Sequence, residues 1–176
     1  MHLKRLNVRL LSLTAASALF LAASSATQAG TATSNLSVTA TVTANCTIST
    51  APVAFGNYDP VVANASSPLD GTGTVTVTCT SGDATNITLG QGANAANGST
   101  DAAPLRQMKD SGTDVLSYAL YQDSARTTAW GNTSATGVDE TGTGAAQNVT
   151  VYGAVAAGQN VPAGSYSDTV VATVTF

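Results

Sequence analysis

The sequence predicts an all-β chain folded as an antiparallel sandwich. Three observations carry that expectation. Segments of alternating apolar and polar residues recur along the chain, the period-two mark of half-buried strands. Turn-forming Gly, Asn, Asp and Pro separate these segments at short intervals. Charged residues make up only 9% of the chain, and Thr, Ala, Ser, Val and Gly fill most positions, a composition that favours strands and suits an extracellular structural protein better than a cytoplasmic enzyme.

The N-terminal region stands apart. His2, Lys4, Arg5 and Arg9 lead into the apolar run 10–23 and the small-residue segment 24–29, the layout of a secretory signal peptide. Thr27 and Ala29 occupy the −3 and −1 positions of a cleavage site before Gly30, with cleavage after Ala26 as the alternative. The apolar run is short for a membrane span, so no membrane insertion is expected after cleavage. Cleavage removes Lys4, Arg5 and Arg9 and leaves Arg106, Lys109 and Arg126 against all ten acidic residues. Three scattered cations on an acidic surface form no basic patch, and no nucleic-acid partner is expected.

The segment Asn35–Ser49 is the longest unbroken alternation. Leu36, Val38, Ala40, Val42, Ala44, Cys46 and Ile48 hold the even positions, and every odd position is Asn, Ser or Thr. Its fifteen residues, fully extended, would reach roughly 50 Å. That exceeds most strands of a compact sandwich, which points to part of the segment serving another molecule.

The remaining elements follow in order. Pro52 to Pro60 reads as a short strand and turn, and 64–73 as loop. Gly73 to Cys79 alternates with Val75, Val77 and Cys79 on one face, which turns Cys79 inward where Cys46 can meet it. After export into an oxidising compartment these two cysteines should form one disulfide. Closing that loop would add roughly 3–4 kcal/mol on the chain-entropy account. Asn86 to Leu89 is a further strand, 90–103 a long exposed connection, and Leu105, Gln107 and Met108 a weak strand. Val115 to Tyr121 is stronger, with Leu116, Tyr118 and Leu120 on one face. Residues 132–144 read as loop, Asn148 to Val155 as strand, 157–164 as turn and Ser165 to Phe176 as the last strand. There Tyr166, Val170, Ala172, Val174 and Phe176 share a face interrupted by Asp168. Seven or so short strands of this kind suggest an immunoglobulin-like sandwich.

Catalytic chemistry finds no support. The single histidine, His2, leaves with the signal peptide, which removes a Ser-His-Asp triad or a His-ligated metal from consideration. Asp139 and Glu140 form an adjacent pair in a Gly/Thr-rich loop, expected as a solvated turn and not as a glycosidase pair. Asp123 and Asp168 lie beside turns and are expected to cap backbone groups. Trp130 is expected in the core or at an interface ahead of a sugar platform. The loop glycines 71, 73, 142 and 144 precede no helix and cradle no phosphate. No catalytic, cofactor-binding or metal-binding residue is expected, and no cofactor.

Several short motifs, in order, resemble the spore coat protein U domain. They are Asn45-Cys46-Thr47-Ile48, Phe55-Gly56-Asn57-Tyr58, Val75-Thr76-Val77-Thr78-Cys79, Tyr118-Ala119-Leu120-Tyr121-Gln122-Asp123 with Trp130-Gly131, Val151-Tyr152-Gly153, and Gly164-Ser165-Tyr166-Ser167-Asp168. The resemblance covers essentially all of residues 30–176. It implies a likeness to pilin subunits of archaic chaperone-usher pili, with an incomplete immunoglobulin-like sandwich that lacks its final strand. A periplasmic chaperone lends that strand in transit, and the N-terminal extension of a neighbouring subunit replaces it in the fibre by donor-strand exchange.

On that resemblance the chain divides into a signal peptide (1–29), a donor-strand extension (30–44) and a pilin domain (45–176), the second boundary open by a few residues. Leu36, Val38, Ala40 and Val42 would be the donor side chains. Burying Leu36, Val38 and Val42 would contribute on the order of 5–8 kcal/mol before ordering costs. Val170, Ala172, Val174 and Phe176 would line the groove and pair with the chaperone. The implied partners are identical or related pilin subunits, the periplasmic chaperone and an outer-membrane usher. The implied destination is a cell-surface fimbrium supporting adhesion or biofilm formation. Two alternatives stand beside this: a secreted monomeric carbohydrate-binding sandwich that supplies its own last strand, and a spore or cyst coat component.

Overall fold

The computed structural model describes residues 28–176, so all but the end of the expected signal peptide lies outside the described residues. The chain divides into two units, one ending at Ala40 and one spanning Thr41–Phe176. In the first, residues 28–40 form no strand and are exposed throughout, Leu36 and Val38 included.

The second unit holds eight strands: β1 (Cys46–Ala51), β2 (Leu69–Cys79), β3 (Ala84–Leu89), β4 (Arg106–Lys109), β5 (Val115–Tyr121), β6 (Val138–Thr141), β7 (Gln147–Val155) and β8 (Ala172–Thr175). They make two antiparallel sheets, one ordered β1-β2-β7-β5-β4 and one β6-β3-β8. Alternation explains the packing between them. Val75, Val77 and Cys79 of β2, Leu120 of β5 and Val151 of β7 turn inward to meet Ile87 and Leu89 of β3. The Thr residues between them turn outward.

Trp130 stitches the sheets together. Its indole is fully buried and its Nε1–H donates to the Ile87 carbonyl at 2.9 Å, while its backbone N–H donates to the Leu120 carbonyl at 2.9 Å. It is core, as one of the two sequence expectations for it held. Cys46 and Cys79 stand opposite one another in the β1–β2 register and are joined by the expected disulfide.

Four expectations change. β1 begins at Cys46 and its ladder with β2 closes at Cys79, but β2 starts at Leu69, inside the stretch 64–73 expected as loop. Thr80 marks the end of that ladder: its N–H donates to the Asn45 carbonyl, and its Oγ1 accepts from the Asn45 N–H. Residues 132–144 contain a 3₁₀ turn (Ser134–Thr136) and β6, where a loop was expected. Asp139 and Glu140 therefore lie in a strand, and the Asp139 carboxylate accepts from the Asn86 side-chain amide at 2.7 Å. Pro52 to Pro60 forms no strand and enters a turn at Pro60. Finally, the last strand pairs with β3 only over Ala172–Thr175, while Ser167 bridges to Lys109 of β4.

Acid lability follows from the loop carboxylates. The Thr128 N–H, then that of Thr127, holds the Asp123 carboxyl below its ordinary value. The Val61 and Val62 N–H groups act likewise on Asp59, as do the Gln91 and Asn132 amides on Asp101. Each depressed value contributes stability that is complete above the ordinary carboxylate range and lost as pH falls through the folded-state value. Thermal melts followed by circular dichroism should thus be flat near neutrality and drop below about pH 4. Asp123→Asn should shallow that acid slope.

Candidate functional site

Cross-strand partners share a face, so their burial should match if something covers both. In β1 and β2 it does not. Val77 and Val75 are 1% exposed, yet Ile48, directly opposite Val77, is 36% exposed, and Thr50, opposite Val75, is exposed as well. The inner face of β1 is uncovered. Along the other sheet, Val170, Ala172 and Val174 are half-buried against the core. β1 and β8 approach one another at this side of the sandwich.

Between them lies an open cleft of about 310 Å³ with Val75, Leu89, Leu120 and Val151 at its base and Val170 and Ala172 on its flank. A second cleft of about 630 Å³ continues it towards Val155 and Pro162. Together they form one apolar groove.

Both rims of the groove are unpaired strand edges. Thr80 N–H donates to the Asn45 carbonyl, and antiparallel pairs alternate, so the backbone groups of Ile48 and Thr50 point away from β2. Gly90 N–H donates to the Val171 carbonyl at 2.8 Å, so those of Ala172 and Val174 point away from β3. Thr50 and Ala172, which line the cleft, therefore also present free backbone donors and acceptors to it. An added extended strand would satisfy both.

A polar cluster braces the wall. Tyr118 Oη–H donates to Asp168 Oδ2 at 2.7 Å, and Asp168 Oδ1 also accepts from the Asn94 backbone and side-chain N–H groups at 3.1 Å each. Asp168 thus caps a backbone group as expected, and also anchors the start of the last strand to β5. Burial, reinforced by the bond to Asp168, pushes the Tyr118 hydroxyl far above its ordinary value, so it stays a donor at any physiological pH. Tyr118→Phe should cost about 1–3 kcal/mol in urea unfolding, since it strips a partner from a half-buried carboxylate.

Arg106 is a correction to the sequence reading. It is not a surface cation but is 2% exposed, with Nε–H donating to the Gly90 carbonyl and Nη2 to those of Leu89 and Trp130. Burial lowers its basicity, offset by Tyr118 and Asp168.

Of the groove residues expected from the sequence, Val170 and Ala172 line the cleft and Val174 packs on the core beside it. Phe176 lies elsewhere, 53% exposed beside Asp139 and Glu140. The expected donor side chains Leu36, Val38, Ala40 and Val42 are all exposed. Sequence reasoning missed Val53 and Phe55, which line both clefts. The signal for them was present in Gly71, Gly73 and Gly153, since strand glycines mark a close approach.

Among the described residues no group of three or more His, Cys, Asp or Glu could hold a metal ion. An apolar trough with two free edges can bind an extended apolar segment.

Residues 32–173 match the Spore Coat Protein U domain. The chain belongs to that family. A family relative, Protein U of Myxococcus xanthus, is 50% identical over 163 residues, covering 89% of this chain and 91% of the relative. Among solved structures, the crystal structure of the CsuC-CsuE chaperone-tip adhesion subunit pre-assembly complex, from archaic chaperone-usher Csu pili of Acinetobacter baumannii, is similar with a TM-score of 0.54 and 23% identity. The similarity covers 77% of this chain and only 40% of that one. At this identity the likeness is one of fold, an antiparallel sandwich.

Proposed function

We propose that this chain is an exported structural subunit that polymerises without covalent links, its segment 30–44 entering the groove of a neighbouring copy to build a cell-surface pilus. The uncovered inner face of β1, with Ile48 exposed beside its buried partner Val77, is the observation that carries the reading. A folded sandwich does not leave such a face and two facing free edges open to water without a partner to close them. Leu36, Val38, Ala40 and Val42 have the alternation to fill it, and they are exposed in the single chain.

Before assembly the same groove needs a temporary strand. A periplasmic chaperone is the partner of that chemistry, and the solved relative of like fold is itself a subunit taken with its chaperone. Delivery then runs through an outer-membrane usher, and the assembled fibre serves adhesion or biofilm formation. The reading is structural, not catalytic.

A second reading keeps the strand exchange and changes the product. The family's designation as a spore coat domain favours a coat layer in place of a free filament. Deleting Gly30 to Thr43 tests the shared step. The truncated protein should be recovered bound to its chaperone and should form no polymer. Polymer formation by the truncated protein overturns the strand-exchange reading, and a stable free monomer supports a self-sufficient binding module instead. Immunoelectron microscopy of cells making the intact chain separates filaments from a continuous coat.

A further inference from the structure

We infer that Phe55 is a fixed ridge across the groove that sets the register of the incoming strand by admitting only the small side chain of Ala40 above it, an inference that rests on the strand-exchange reading. The two clefts share four side chains as their common wall: Val53, Phe55, Met108 and Tyr166. These four side chains thus stand between the two clefts.

The ridge cannot sink. Val53 and Phe55 lie on a floor of strand glycines, with Gly71 directly opposite Gly153 in the β2–β7 register. A Cβ on Gly153 would stand 2.7 Å from Phe55 Cζ, one on Gly71 2.9 Å from Phe55 Cδ1, and one on Gly73 2.7 Å from Val53 Cγ2. The floor has already given up every side-chain atom it could, so the ring has no room below it. Sideways, Phe55 meets Tyr118 edge-on at 6.0 Å, and the bond to Asp168 holds that tyrosine in place. A stiff ridge must be accommodated by whatever crosses it.

The donor segment has one matching feature. Its inward side chains fall about 6.6 Å apart, in the order Leu, Val, Ala, Val. Ala40 is the small one, flanked by Val38 on one side and Val42 on the other. With Ala40 over Phe55, the two valines drop into separate clefts. Any shift by two residues sets a valine on the ridge instead.

The experiment enlarges single positions in the full-length exported chain and measures the polymer sedimented from the cell surface. Ala40→Leu should lower polymer yield roughly tenfold or more by overpacking, whereas Val42→Leu, an enlargement over a cleft, should lower it several-fold less. Trimming the ridge should reverse the defect: Ala40→Leu combined with Phe55→Leu should recover polymer. Phe55→Leu alone, read by recovery of folded, disulfide-bonded subunit, checks that the trimmed chain still folds, and Phe55→Met replaces it if it does not. Ala40→Leu assembling as well as wild type while Val38→Asp does not overturns the ridge and leaves strand exchange standing. Both variants assembling overturns strand exchange itself. Equal failure of Ala40→Leu and Val42→Leu, or no recovery in the ridge-trimmed double variant, also overturns the assignment of Phe55.

Discussion

Val38→Asp should leave the subunit body and its Cys46–Cys79 disulfide intact and abolish the polymer. Val38 is 84% exposed in the single chain, so a carboxylate there costs the isolated subunit almost nothing. In the assembled state the same residue would sit in a neighbour's apolar groove. It would forfeit about 1.5–3 kcal/mol of side-chain burial and add the cost of desolvating a charge with no partner. A combined loss of about 4 kcal/mol lowers association by roughly a thousandfold, which removes the polymer at cellular concentrations. Sedimentation of surface material, together with thermal melts of the isolated subunit, separates the two effects. A fall in subunit stability with polymer retained would show that Val38 belongs to its own domain. Val38→Ile is the matching control and should polymerise normally.

Trp130→Ala has the largest expected effect on folding itself. The indole is fully buried between the sheets, and its removal leaves a cavity lined by side chains from both. Truncations of this size cost about 3–5 kcal/mol. The Ile87 carbonyl loses the Nε1–H donor it accepts from, which adds about 1–3 kcal/mol if no water replaces it. Against a total stability of about 5–15 kcal/mol, the variant should be largely unfolded or rapidly degraded on export. The yield of soluble, disulfide-bonded subunit and the urea midpoint measure this. Trp130→Phe, which keeps most of the volume but not the N–H, should fall between the two.

These two residues differ in how they were read from the chain. Trp130 was expected in the core or at an interface, and the strands around it, Val115 to Tyr121 and Asn148 to Val155, lie within a residue of where β5 and β7 are found. Their legibility has a plain cause: one face of each is buried, so selection for burial writes the period-two pattern into the residues themselves. β6 shows the converse. Its Val-Asp-Glu-Thr sequence is a short edge strand with one apolar residue, held by pairing to β3, and pairing leaves no mark in side-chain polarity. Arg106 reads as a surface cation because Arg is mostly exposed, and the three carbonyls that converge on its guanidinium, with Asp168 nearby, offset the cost of its burial.

The sequence by itself determined the fold class, the disulfide and which residues of each strand face the same way. It also held the alternating segment Leu36 to Val42 in full view. Only the tertiary structure decided that the face shared by Ile48 and Val77 is covered at one end and bare at the other, and that Phe55 rises across the groove on a bed of glycines. Alternation encodes direction within a strand. Whether another element lies opposite that direction depends on how distant strands close on one another, and no local pattern records a neighbour that is missing.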